Sequence, residues 1–440
     1  MANPSDSFDP RTHVWSSFIQ STYLTRQPPQ PLGTILPDEI EAKAKEKLKD
    51  HPACFIYGRG NAGSGGTYDG NLLAFKRYFL TPRALMPHSS NMDSAQRNLS
   101  TRLLGRSYPT PLVLGPIGTQ SLFAEEGELG PATAGKETGV PFVISTVASR
   151  SMEDVAEANG GAERWFQLYW PRTEALTLSL LQRAKDLKYT ALVVTIDNFA
   201  VGWRAHDISG TFSPHLSGIG CEVGRGDPTF MNKLGLPPDT HNQPPFPFDY
   251  LGLRKKLVDQ DEKAVQEAAI GMAWAQEVCS GRYRSWEDLA WLRKQWEGPL
   301  ILKGVLRAED AERAVENGVD GIVVSNHGGR QIDGEIATMD ALSDIVASSV
   351  VRAAQADGAF TVFLDSGVRT GTDVLKAVAL GADAVFLGRA YLWASCVGGK
   401  DGVKQLIHQT MAEIDVTLGL LGYTSLDELR GCKSVLRVLK

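Results

Sequence analysis

The sequence predicts an α/β fold, a (β/α)8 barrel of the TIM type with an N-terminal helical extension and a long insertion after the fourth strand. The first observation is a series of eight short apolar runs, rich in β-branched residues, which is typical of buried parallel strands. The second is that helix-like stretches separate these runs. Eight strand-helix units in series favour a closed barrel over an open sheet, because closure leaves no exposed edge.

The apolar runs place the predicted strands at residues 111–116, 141–146, 164–170, 191–197, 299–305, 321–327, 361–367 and 384–389. Between the third and fourth strands, residues 173–189 repeat leucine and alanine at spacings of three or four, which predicts an amphipathic helix. Residues 307–317 follow the same pattern. We expect that helix to end at Gly318, since glycine readily adopts the left-handed conformation that ends a helix.

The chain divides into two predicted parts. Residues 1–105 form an extension with a charged helix around residues 38–49 and a glycine-rich loop, and residues 106–440 form the barrel domain. Within the barrel domain, residues 399–440 are predicted to be C-terminal helices. The last of these begins with the S-x-x-E spacing of a capping box at Ser425.

The connection after the fourth strand is much longer than the others. Residues 208–298 form a predicted insertion, with a proline-rich stretch at residues 244–247. Because the insertion leaves the C-terminal end of a strand, where barrel active sites lie, one interpretation is a lid over the site. On loop statistics alone, a mobile surface loop is an equally good interpretation.

The composition favours a globular protein that acts on small molecules. The chain has 440 residues, 42% of them hydrophobic, so it can bury a large core. Its net charge of -6 argues against nucleic acid or an anionic membrane as a partner, since both attract clustered positive charge. The five cysteines form no C-x-x-C pair, residues 1–15 lack a signal peptide's apolar stretch, and no run could span a membrane. These features predict a cytoplasmic protein with reduced thiols.

Residues 58–63 match the G-x-G-x-x-G spacing of dinucleotide-binding folds. That motif also requires an acidic residue about 20 positions further on, where it binds the ribose. Residues 78–83, Tyr-Phe-Leu-Thr-Pro-Arg, provide none. A flexible turn is therefore the favoured interpretation of these glycines.

Six predicted strands carry polar side chains at their C-terminal ends, the positions that line the catalytic face of a barrel. Residues two apart point to the same side of a strand, so several of these side chains converge. A single one is equally well explained as a buried polar group with a partner. A buried aspartate, lysine and histidine together would be costly without a function, so the set favours a catalytic site. These residues are Gln167, Tyr169, Thr195, Asp197, Lys303, Ser325, His327, Asp365 and Arg389.

His327 is the candidate base of this site. An imidazole can be neutral near pH 7 and can then take a proton, and Asp197 could orient the ring and stabilise the imidazolium. Arg330 and Arg204 could bind a carboxylate with forked hydrogen bonds. A solvated surface arginine is the alternative for Arg204.

Two turns suggest a phosphate-bearing ligand. Residues 365–371 and the pair Gly388-Arg389 combine small residues with arginine after the seventh and eighth strands, where barrels often bind phosphate. A capped helix start is the alternative for the first turn. No metal site is expected, because there is no H-E-x-x-H motif and the other histidines, His215 among them, are dispersed.

The run Ser-Asn-His-Gly-Gly-Arg-Gln at residues 325–331 resembles the motif of the FMN-dependent L-2-hydroxy acid dehydrogenase and oxidase family. The resemblance covers residues 38–207 and 285–429. It implies an FMN-binding (β/α)8 barrel that oxidises a small 2-hydroxy acid with His327 as catalytic base.

The resemblance also implies a role for each matching residue. Asp197 would support His327, Tyr169 would contact the reacting oxygen, and Lys303 would lie beside flavin N1 and O2. The residues implied to bind the substrate are Tyr57, Arg204, Arg330 and Tyr169. Those implied to bind FMN are Pro116, Ile117, Gly118, Ser145, Gln167, Thr195, Lys303, Ser325, Asp365 and Gly367, with Arg369, Gly388 and Arg389 at its phosphate.

Within that family, the sequence departs from the glycolate oxidase pattern. Asn61 replaces a usual glycine in the active-site loop that carries Tyr57, and Val147 stands where glycolate oxidase-like members have a tryptophan. The sequences at 115–118 and 202–204 and the long insertion resemble the lactate 2-monooxygenase group instead.

That likeness implies oxidation of L-lactate by oxygen to acetate, carbon dioxide and water, in a homotetramer or homo-octamer. Three alternatives stay open at this point. They are an oxidase that releases the keto acid and hydrogen peroxide, a dehydrogenase with another electron acceptor, and, more remotely, a non-catalytic FMN-binding barrel.

Overall fold

The computed structural model describes residues 9, 10, 12–85 and 97–439. The predicted absence of a signal peptide at residues 1–15 therefore falls partly outside the described residues, as does Lys440 at the end of the predicted C-terminal segment. Within the described ranges, no helix is long and apolar enough to cross a membrane.

Short helices and strands precede the barrel. The charged helix predicted around residues 38–49 is observed, with acidic residues in its first turn and lysines in its last, an arrangement that complements the helix dipole. The last two strands of this part pair as an antiparallel hairpin. The elements are α1 (Ser17–Thr25), α2 (Pro37–Lys47), α3 (Pro52–Arg59), α4 (Gly66–Arg77), β1 (Tyr78–Leu80), β2 (Thr101–Leu103) and β3 (Arg106–Tyr108).

The turn predicted at residues 58–63 is partly wrong, because Gly58 and Arg59 form the last turn of α3. Gly58 is needed there for space: a Cβ atom would come within 2.8 Å of the rings of Phe123 and Trp393. The chain leaves the helix at Gly60. Because a helix and not a strand precedes this loop, the dinucleotide-binding interpretation has no structural basis.

Eight parallel strands close into a barrel, as predicted. Their order around the ring is β10-β11-β4-β5-β6-β7-β8-β9, so strands consecutive in sequence are neighbours in space. The strands are β4 (Leu112–Leu114), β5 (Phe142–Ser145), β6 (Arg164–Leu168), β7 (Leu192–Thr195), β8 (Leu300–Val305), β9 (Gly321–Val324), β10 (Thr361–Leu364) and β11 (Ala384–Leu387).

The strands end earlier than predicted, and this changes where the polar residues lie. Asp197, Ser325, His327 and Asp365 follow the ends of their strands and lie in loops, and Arg389 begins a helix. The backbone explains the early ends after β9 and β10: His327 has φ of 56° and Ser366 has φ of 69°, and left-handed residues cannot continue a strand. The polar side chains therefore converge at the barrel mouth because of the conformations of these loops, and not because residues two apart on a strand point to the same side.

Side chains fill the barrel interior below that mouth. Trp165, Phe363 and Phe386 are at most 1% exposed, and the ring centroid of Trp165 lies 5.8 Å from that of Phe363 and 6.0 Å from that of Phe386. Valines from β4, β5, β7 and β9 and Ile301 from β8 complete this cluster. The barrel is thus a packed core that opens only at its C-terminal face.

Helices surround the barrel and follow it. The helices predicted at 173–189 and 307–317 are observed as α7 and α14, and Gly318 has φ of 68°. The elements are α5 (Leu129–Thr138), α6 (Met152–Asn159), α7 (Glu174–Asp186), α8 (Ala205–Ser209), α9 (Glu222–Arg225), α10 (Pro228–Lys233), α11 (Tyr250–Val258), α12 (Glu262–Val278), α13 (Trp286–Arg293), α14 (Ala308–Glu316), α15 (Thr338–Ile345), α16 (Ser349–Ala356), α17 (Gly371–Leu380), α18 (Arg389–Leu420), α19 (Leu426–Leu429) and β12 (Leu436–Val438).

The C-terminal helices differ in detail from the prediction. Helix α18 consists of two helices joined at a kink, since Gly398 and Gly399 are not helical, so the second begins where the C-terminal helices were predicted and the first, from Arg389, was not predicted. The capping box at Ser425 is only half formed: its hydroxyl accepts from the Glu428 amide, but the Glu428 carboxylate accepts from Thr424.

The residue 208–298 insertion folds into helices, α9 to α13. Aspartate side chains cap three of them: Asp227 accepts from the first turn of α10, Asp249 from that of α11 and Asp261 from that of α12. Trp274 of α12 is fully buried against Phe230 of α10, with ring centroids 5.0 Å apart. The insertion helices therefore pack on one another and share the hydrophobic core that covers the outside of the barrel.

Replacing Trp165 with alanine tests the packed interior. We expect Trp165→Ala to lower the free energy of unfolding by about 3–5 kcal/mol, because the surrounding rings cannot close the cavity that it leaves. Urea denaturation of the holoprotein measures the change. Leu251→Ala, at a side chain that is 74% exposed, is the control and should shift stability by less than about 0.5 kcal/mol. Equal effects of the two substitutions would contradict a packed barrel interior.

Candidate active site

Three neighbouring strands bring an acid, a lysine and a histidine together. Asp197 follows β7, Lys303 lies in β8 and His327 follows β9. The Nδ1 atom of His327 is 2.7 Å from Oδ1 of Asp197, and Nζ of Lys303 is 3.9 Å from Oδ2 of Asp197. The three side chains are 16% exposed or less. They form one buried charged group at the barrel mouth.

Asp197 approaches the barrel closely because residue 304 is glycine. The register between β8 and β9 shifts at this point, and Gly304 has φ of 110°. A Cβ atom there would lie 2.7 Å from Cβ of Asp197 and 2.9 Å from its Oδ2. Any other residue would therefore be strained and would displace the carboxylate.

The backbone of His327 is itself unusual. Its left-handed φ is followed by positive φ at Gly328 and Gly329. The amide of His327 donates to Oγ of Ser325 at 3.1 Å, and that of Gly328 donates to Oγ of Ser366 at 2.9 Å. A histidine in this conformation is rare outside sites where the surrounding structure holds it in place.

Burial sets the protonation of the pair. Burial lowers the pKa of His327 below its ordinary 6.5, and this outweighs the raising effect of Asp197. Burial raises the pKa of Asp197, but the interactions with His327 and Lys303 outweigh this, so the net pKa is lowered and the carboxylate is ionised. A carboxylate only accepts, so Nδ1 of His327 donates to it and Nε2 keeps its lone pair.

That lone pair faces Tyr169. The Tyr169 hydroxyl lies 3.3 Å from Nε2 of His327, and the two rings are nearly parallel. Burial raises the pKa of Tyr169, and the charge of Asp197 adds to this, so its hydroxyl stays protonated and can donate.

Lys303 is held by two acids. Its Nζ donates to Oγ of Ser325 at 2.9 Å and lies 3.3 Å from Oδ2 of Asp365. Burial lowers the pKa of Lys303, but Asp365 and Asp197 raise it more, so the net pKa is raised and the ammonium group persists. The lysine thus places a fixed positive charge at the cavity wall.

Two arginines, Arg330 and Arg204, add positive charge to the site. Arg330 donates to the carbonyl oxygens of Tyr57 at 2.9 Å and Gly60 at 2.7 Å, and its guanidinium lies 5.2 Å from the centre of the Tyr57 ring. Burial, with the charge of Arg204 next in effect, lowers the pKa of Arg330 to about 10, which leaves it protonated. Arg204 is 8% exposed, so the surface-arginine alternative is wrong.

Gln331 connects two loops of the site. It belongs to the 325–331 motif, but the sequence alone predicted no role for it. Its Nε2 donates to the carbonyl of Asp197 and to Oδ1 of Asn198, both at 2.9 Å. Its Oε1 accepts from the amide of Gly202 and from Arg204, both at 3.2 Å. One side chain therefore ties the loop after β7 to the loop after β9.

The contact between the side-chain amides of Asn71 and Asn326 was also not predicted from the sequence. Nδ2 of Asn71, in α4, donates to Oδ1 of Asn326 at 2.9 Å, and Nδ2 of Asn326 donates to Oδ1 of Asn71 at 2.8 Å. This contact joins residues far apart in sequence, so no local pattern could reveal it. It docks the N-terminal extension against the His327 loop.

Three residues predicted to bind FMN form hydrogen bonds with one another. Nε2 of Gln167 donates to Oγ1 of Thr195 at 3.0 Å, and Oε1 of Gln167 accepts from Oγ of Ser145 at 3.1 Å. Each is at most 2% exposed, and together they form a polar layer across β5, β6 and β7.

Further positive charge collects next to Arg330, because Arg389 donates to the same carbonyl oxygens of Gly58 and Gly60. The guanidinium groups of Arg59, Arg369 and Arg389 lie 4.1, 5.9 and 5.0 Å from the centre of the Tyr68 ring. Burial, reinforced by Arg330 and Arg369, lowers the pKa of Arg389 well below its ordinary range. An arginine destabilised in this way is suited to an anionic ligand.

The two turns predicted to bind phosphate differ in how their backbone amides are used. The amides of Arg369 and Thr370 donate to Asp373, and those of Gly371 and Thr372 donate to Glu413, so the start of α17 is capped by the protein. Gly388 precedes the first residue of α18, where no side chain caps the helix, and a Cβ at Gly388 would meet nothing within 4 Å. The start of α18, not that of α17, can therefore receive an anion.

A cavity of about 460 Å³ unites these groups, a size typical of ligand sites. Asp197, Ser145, Gln167, Thr195 and Ser325 do not line it and instead contact residues that do or form the layer beneath. The predicted residues that line it are Tyr57, Pro116, Ile117, Gly118, Tyr169, Arg204, Lys303, His327, Arg330, Asp365, Gly367, Arg369, Gly388 and Arg389. The described chain shows no group of three or more histidine, cysteine or acidic side chains that could hold a metal ion.

The sequence matches the family model of the FMN-dependent dehydrogenases over residues 44–435. It is 40% identical to the FMN-dependent alpha-hydroxy acid dehydrogenase qulF of Penicillium citrinum, over 89% of this chain and 88% of that protein. An L-lactate oxidase of Lysinibacillus sphaericus is 36% identical, over 92% of this chain and 93% of its own length. A crystal structure of mandelate oxidase has a TM-score of 0.71 and 32% identity, covering 92% of this chain and 98% of that one.

The chain therefore belongs to the FMN-dependent dehydrogenase family, whose members include 2-hydroxy acid oxidases. It is an oxidoreductase with FMN as its cofactor. The residues present fit that cofactor: the arginines around Tyr68 and the start of α18 suit a phosphate, and Lys303 offers a cation at the other end of the cavity.

Removal of one arginine tests the phosphate end. We expect Arg389→Met to weaken FMN binding roughly 100-fold, since a charge-assisted contact to phosphate is worth about 1.5–3 kcal/mol and neighbouring carbonyls would lose their donor. Titration of the apoprotein with FMN, followed by quenching of flavin fluorescence, measures the affinity. Arg307→Met removes an exposed arginine and should leave the affinity unchanged. Equal affinities of the Arg389 variant and the parent protein would refute this placement of the phosphate.

Proposed function

We propose that this protein oxidises an L-2-hydroxy acid to the 2-keto acid, with His327 as the base and molecular oxygen as the final electron acceptor. The observation that carries the proposal is the Asp197–His327 pair, whose histidine lines the same cavity as Arg330 and Arg204. A neutral base and two cations in one enclosed site match the proton and the carboxylate of a hydroxy acid.

The arginines would bind and orient the substrate. Arg330 and Arg204 would grip its carboxylate, with the Tyr57 ring, packed on Arg330, closing one side. This places the 2-hydroxyl group near Nε2 of His327 and the Tyr169 hydroxyl. Bidentate binding by arginine fixes orientation as well as position, which lowers the entropic barrier to proton transfer.

His327 would then take a proton, from either the hydroxyl group or the α-carbon. Asp197, ionised and 2.7 Å from Nδ1, would stabilise the imidazolium that forms. FMN, when bound, supplies the acceptor for the two electrons of the substrate. Lys303 keeps its positive charge where negative charge would accumulate at the cofactor end of the cavity.

The charge of Asp197 predicts a change in the pH profile. Only neutral His327 is competent, and its pKa is lowered below 6.5, so flavin reduction should stay constant as pH falls through 6.5 and decline only below it. Asp197 raises the pKa of His327, so Asp197→Asn should move the acid limb to lower pH. The limiting rate should also fall roughly 100-fold or more, because the imidazolium loses its partner.

Stopped-flow reduction between about pH 5 and pH 9 measures both effects. Asp259→Asn, a matched change at an exposed position, is the control and should leave the profile unchanged. An acid limb that moves to higher pH in the Asp197 variant would contradict the assigned roles.

We further propose that L-lactate is a substrate and that the 208–298 insertion acts as a lid that retains the keto acid. The lid then favours the monooxygenase outcome, in which lactate and oxygen yield acetate, carbon dioxide and water. Support comes from Phe212, His215 and Leu216 of the insertion, which line the cavity. A lid that slows release of pyruvate would let peroxide react with it inside the site. The oxidase outcome, pyruvate and hydrogen peroxide, is the competing proposal, favoured by the likeness to L-lactate oxidases.

One two-stage experiment tests both levels. L-Lactate should bleach the yellow holoprotein without oxygen, whereas His327→Gln should keep FMN but lose bleaching, because only the base is removed. No bleaching of the parent protein by any L-2-hydroxy acid would refute the function.

After oxygen is admitted in the presence of catalase, acetate and carbon dioxide equal to the lactate consumed indicate a monooxygenase. Catalase is needed because free peroxide decarboxylates pyruvate in solution. Pyruvate as the product would identify an oxidase.

Two further proposals concern assembly and location. We propose a homotetramer or homo-octamer, supported by exposed apolar side chains at α1, including Tyr23 at 78% and Leu24 at 75% exposure. We also propose a cytoplasmic location, supported by the five free thiols. The division into an extension, residues 1–105, and an FMN-binding barrel domain, residues 106–440, is likewise proposed.

A further inference from the structure

One cavity-lining side chain, His215, has no part in the chemistry above. It begins the single 3-10 turn His215–Ser217 in the insertion. Helix α12 packs directly behind it: a Cβ at Gly271 would collide with the carbonyl oxygen of His215. The imidazole is therefore presented to the cavity from a backbone that is held in place.

His215 lies across the barrel mouth from His327. A Cβ atom at Gly220 would lie 3.1 Å from Cε1 of His215, 2.9 Å from the carbonyl oxygen of Val147 and 2.6 Å from Cγ2 of Thr119. The His215 ring thus lies beside the loops that follow β4 and β5. In the closed ring these two strands stand opposite β8 and β9, which position Lys303 and His327.

The hydrogen bonds of His215 fix its chemical character. Nδ1 lies 3.2 Å from the carbonyl oxygen of Ile219, which can only accept, so Nδ1 carries the proton. Burial lowers the pKa of His215 to about 4; the Ile219 hydrogen bond opposes this and the positive charge of Arg204 adds to it, so the ring is neutral at neutral pH. In the part of the chain that the structure describes, Nε2 has no hydrogen-bond partner. His215 therefore offers an unused acceptor.

Apolar side chains line part of the cavity that His215 also lines. They are Val147, Val201, Ile208, Phe212 and Leu216. Val201, Ile208 and Leu216 are more than half exposed, so the apolar wall continues from the site to the surface. An acceptor in such surroundings contributes binding free energy only to a ligand that brings a donor to it.

We propose that His215 determines substrate specificity by accepting a hydrogen bond from the far end of the substrate's side chain. The substrate class is then L-2-hydroxy acids whose side chain is apolar, of about aromatic size, and ends in a hydroxyl or N–H group. This inference rests on the proposed function, which fixes the carboxylate and the 2-hydroxyl at Arg330 and His327. The methyl group of L-lactate leaves the His215 end of the cavity unfilled, so lactate is the poorer substrate.

A matched pair of acids tests this directly. (S)-3-Phenyllactate and its analogues with a ring hydroxyl at the meta or para position differ only in the donor. Anaerobic flavin reduction gives an apparent dissociation constant and a limiting rate for each acid. In the parent protein, we expect the better hydroxylated acid to bind roughly tenfold tighter than phenyllactate, with a similar limiting rate, because the contact is remote from the reacting atoms.

Three variants separate the hydrogen bond from general packing. His215→Phe keeps a ring but no acceptor and should bring the ratio of the two dissociation constants to about one. His215→Gln keeps an acceptor oxygen and should retain part of the preference. Leu216→Ala, on the same turn, removes apolar surface that both acids share, so both should bind more weakly at an unchanged ratio. FMN absorbance shows that each variant is folded and loaded.

The outcomes are distinct. A ratio near one in the parent protein, or an unchanged ratio in His215→Phe, overturns the inference. Reduction by lactate but by neither aromatic acid also overturns it while leaving the proposed function intact. Failure of every 2-hydroxy acid to reduce the flavin would overturn the proposed function and this inference with it.

Discussion

The rest of the active site depends on a buried carboxylate, Asp197, held between His327 and Lys303. Removing an ionised carboxylate from water is costly, and the cost is met only when cations and donors surround it. Barrel closure supplies both partners, because β7, β8 and β9 are neighbours, and Gly304 leaves the space that the carboxylate occupies. The left-handed conformation of His327 then turns its ring onto Asp197.

The charges at the centre of the cavity differ from those of the arginines around it. Lys303 faces two acids, Asp197 and Asp365, so with His327 neutral the centre of the site has no surplus of positive charge. The arginines add positive charge: Arg369 and Arg389 cluster on Tyr68, and Arg330 donates to the same Gly58 and Gly60 carbonyl oxygens as Arg389. This surplus of positive charge suits anions, and the family's cofactor brings a phosphate while a hydroxy acid brings a carboxylate.

The sequence predicted the barrel well because buried parallel strands are continuous apolar runs, and all eight were located. It could not predict where they end, because the left-handed residues His327 and Ser366 leave no trace in an apolar pattern. The arginines predicted to bind phosphate stay a prediction, and the capping of α17 depends on Glu413 and Asp373, which no local pattern revealed. The insertion helices were missed although aspartates that could cap them precede α10, α11 and α12.

The central claim is that His327 rests as a neutral base with its proton on Nδ1 and its lone pair on Nε2. Neutron diffraction from crystals of the oxidised holoprotein near pH 7 would observe that proton directly. The structure predicts nuclear density on Nδ1, toward Asp197, and none on Nε2. Density on both nitrogens, or on Nε2 alone, would contradict the assignment of His327 as the base.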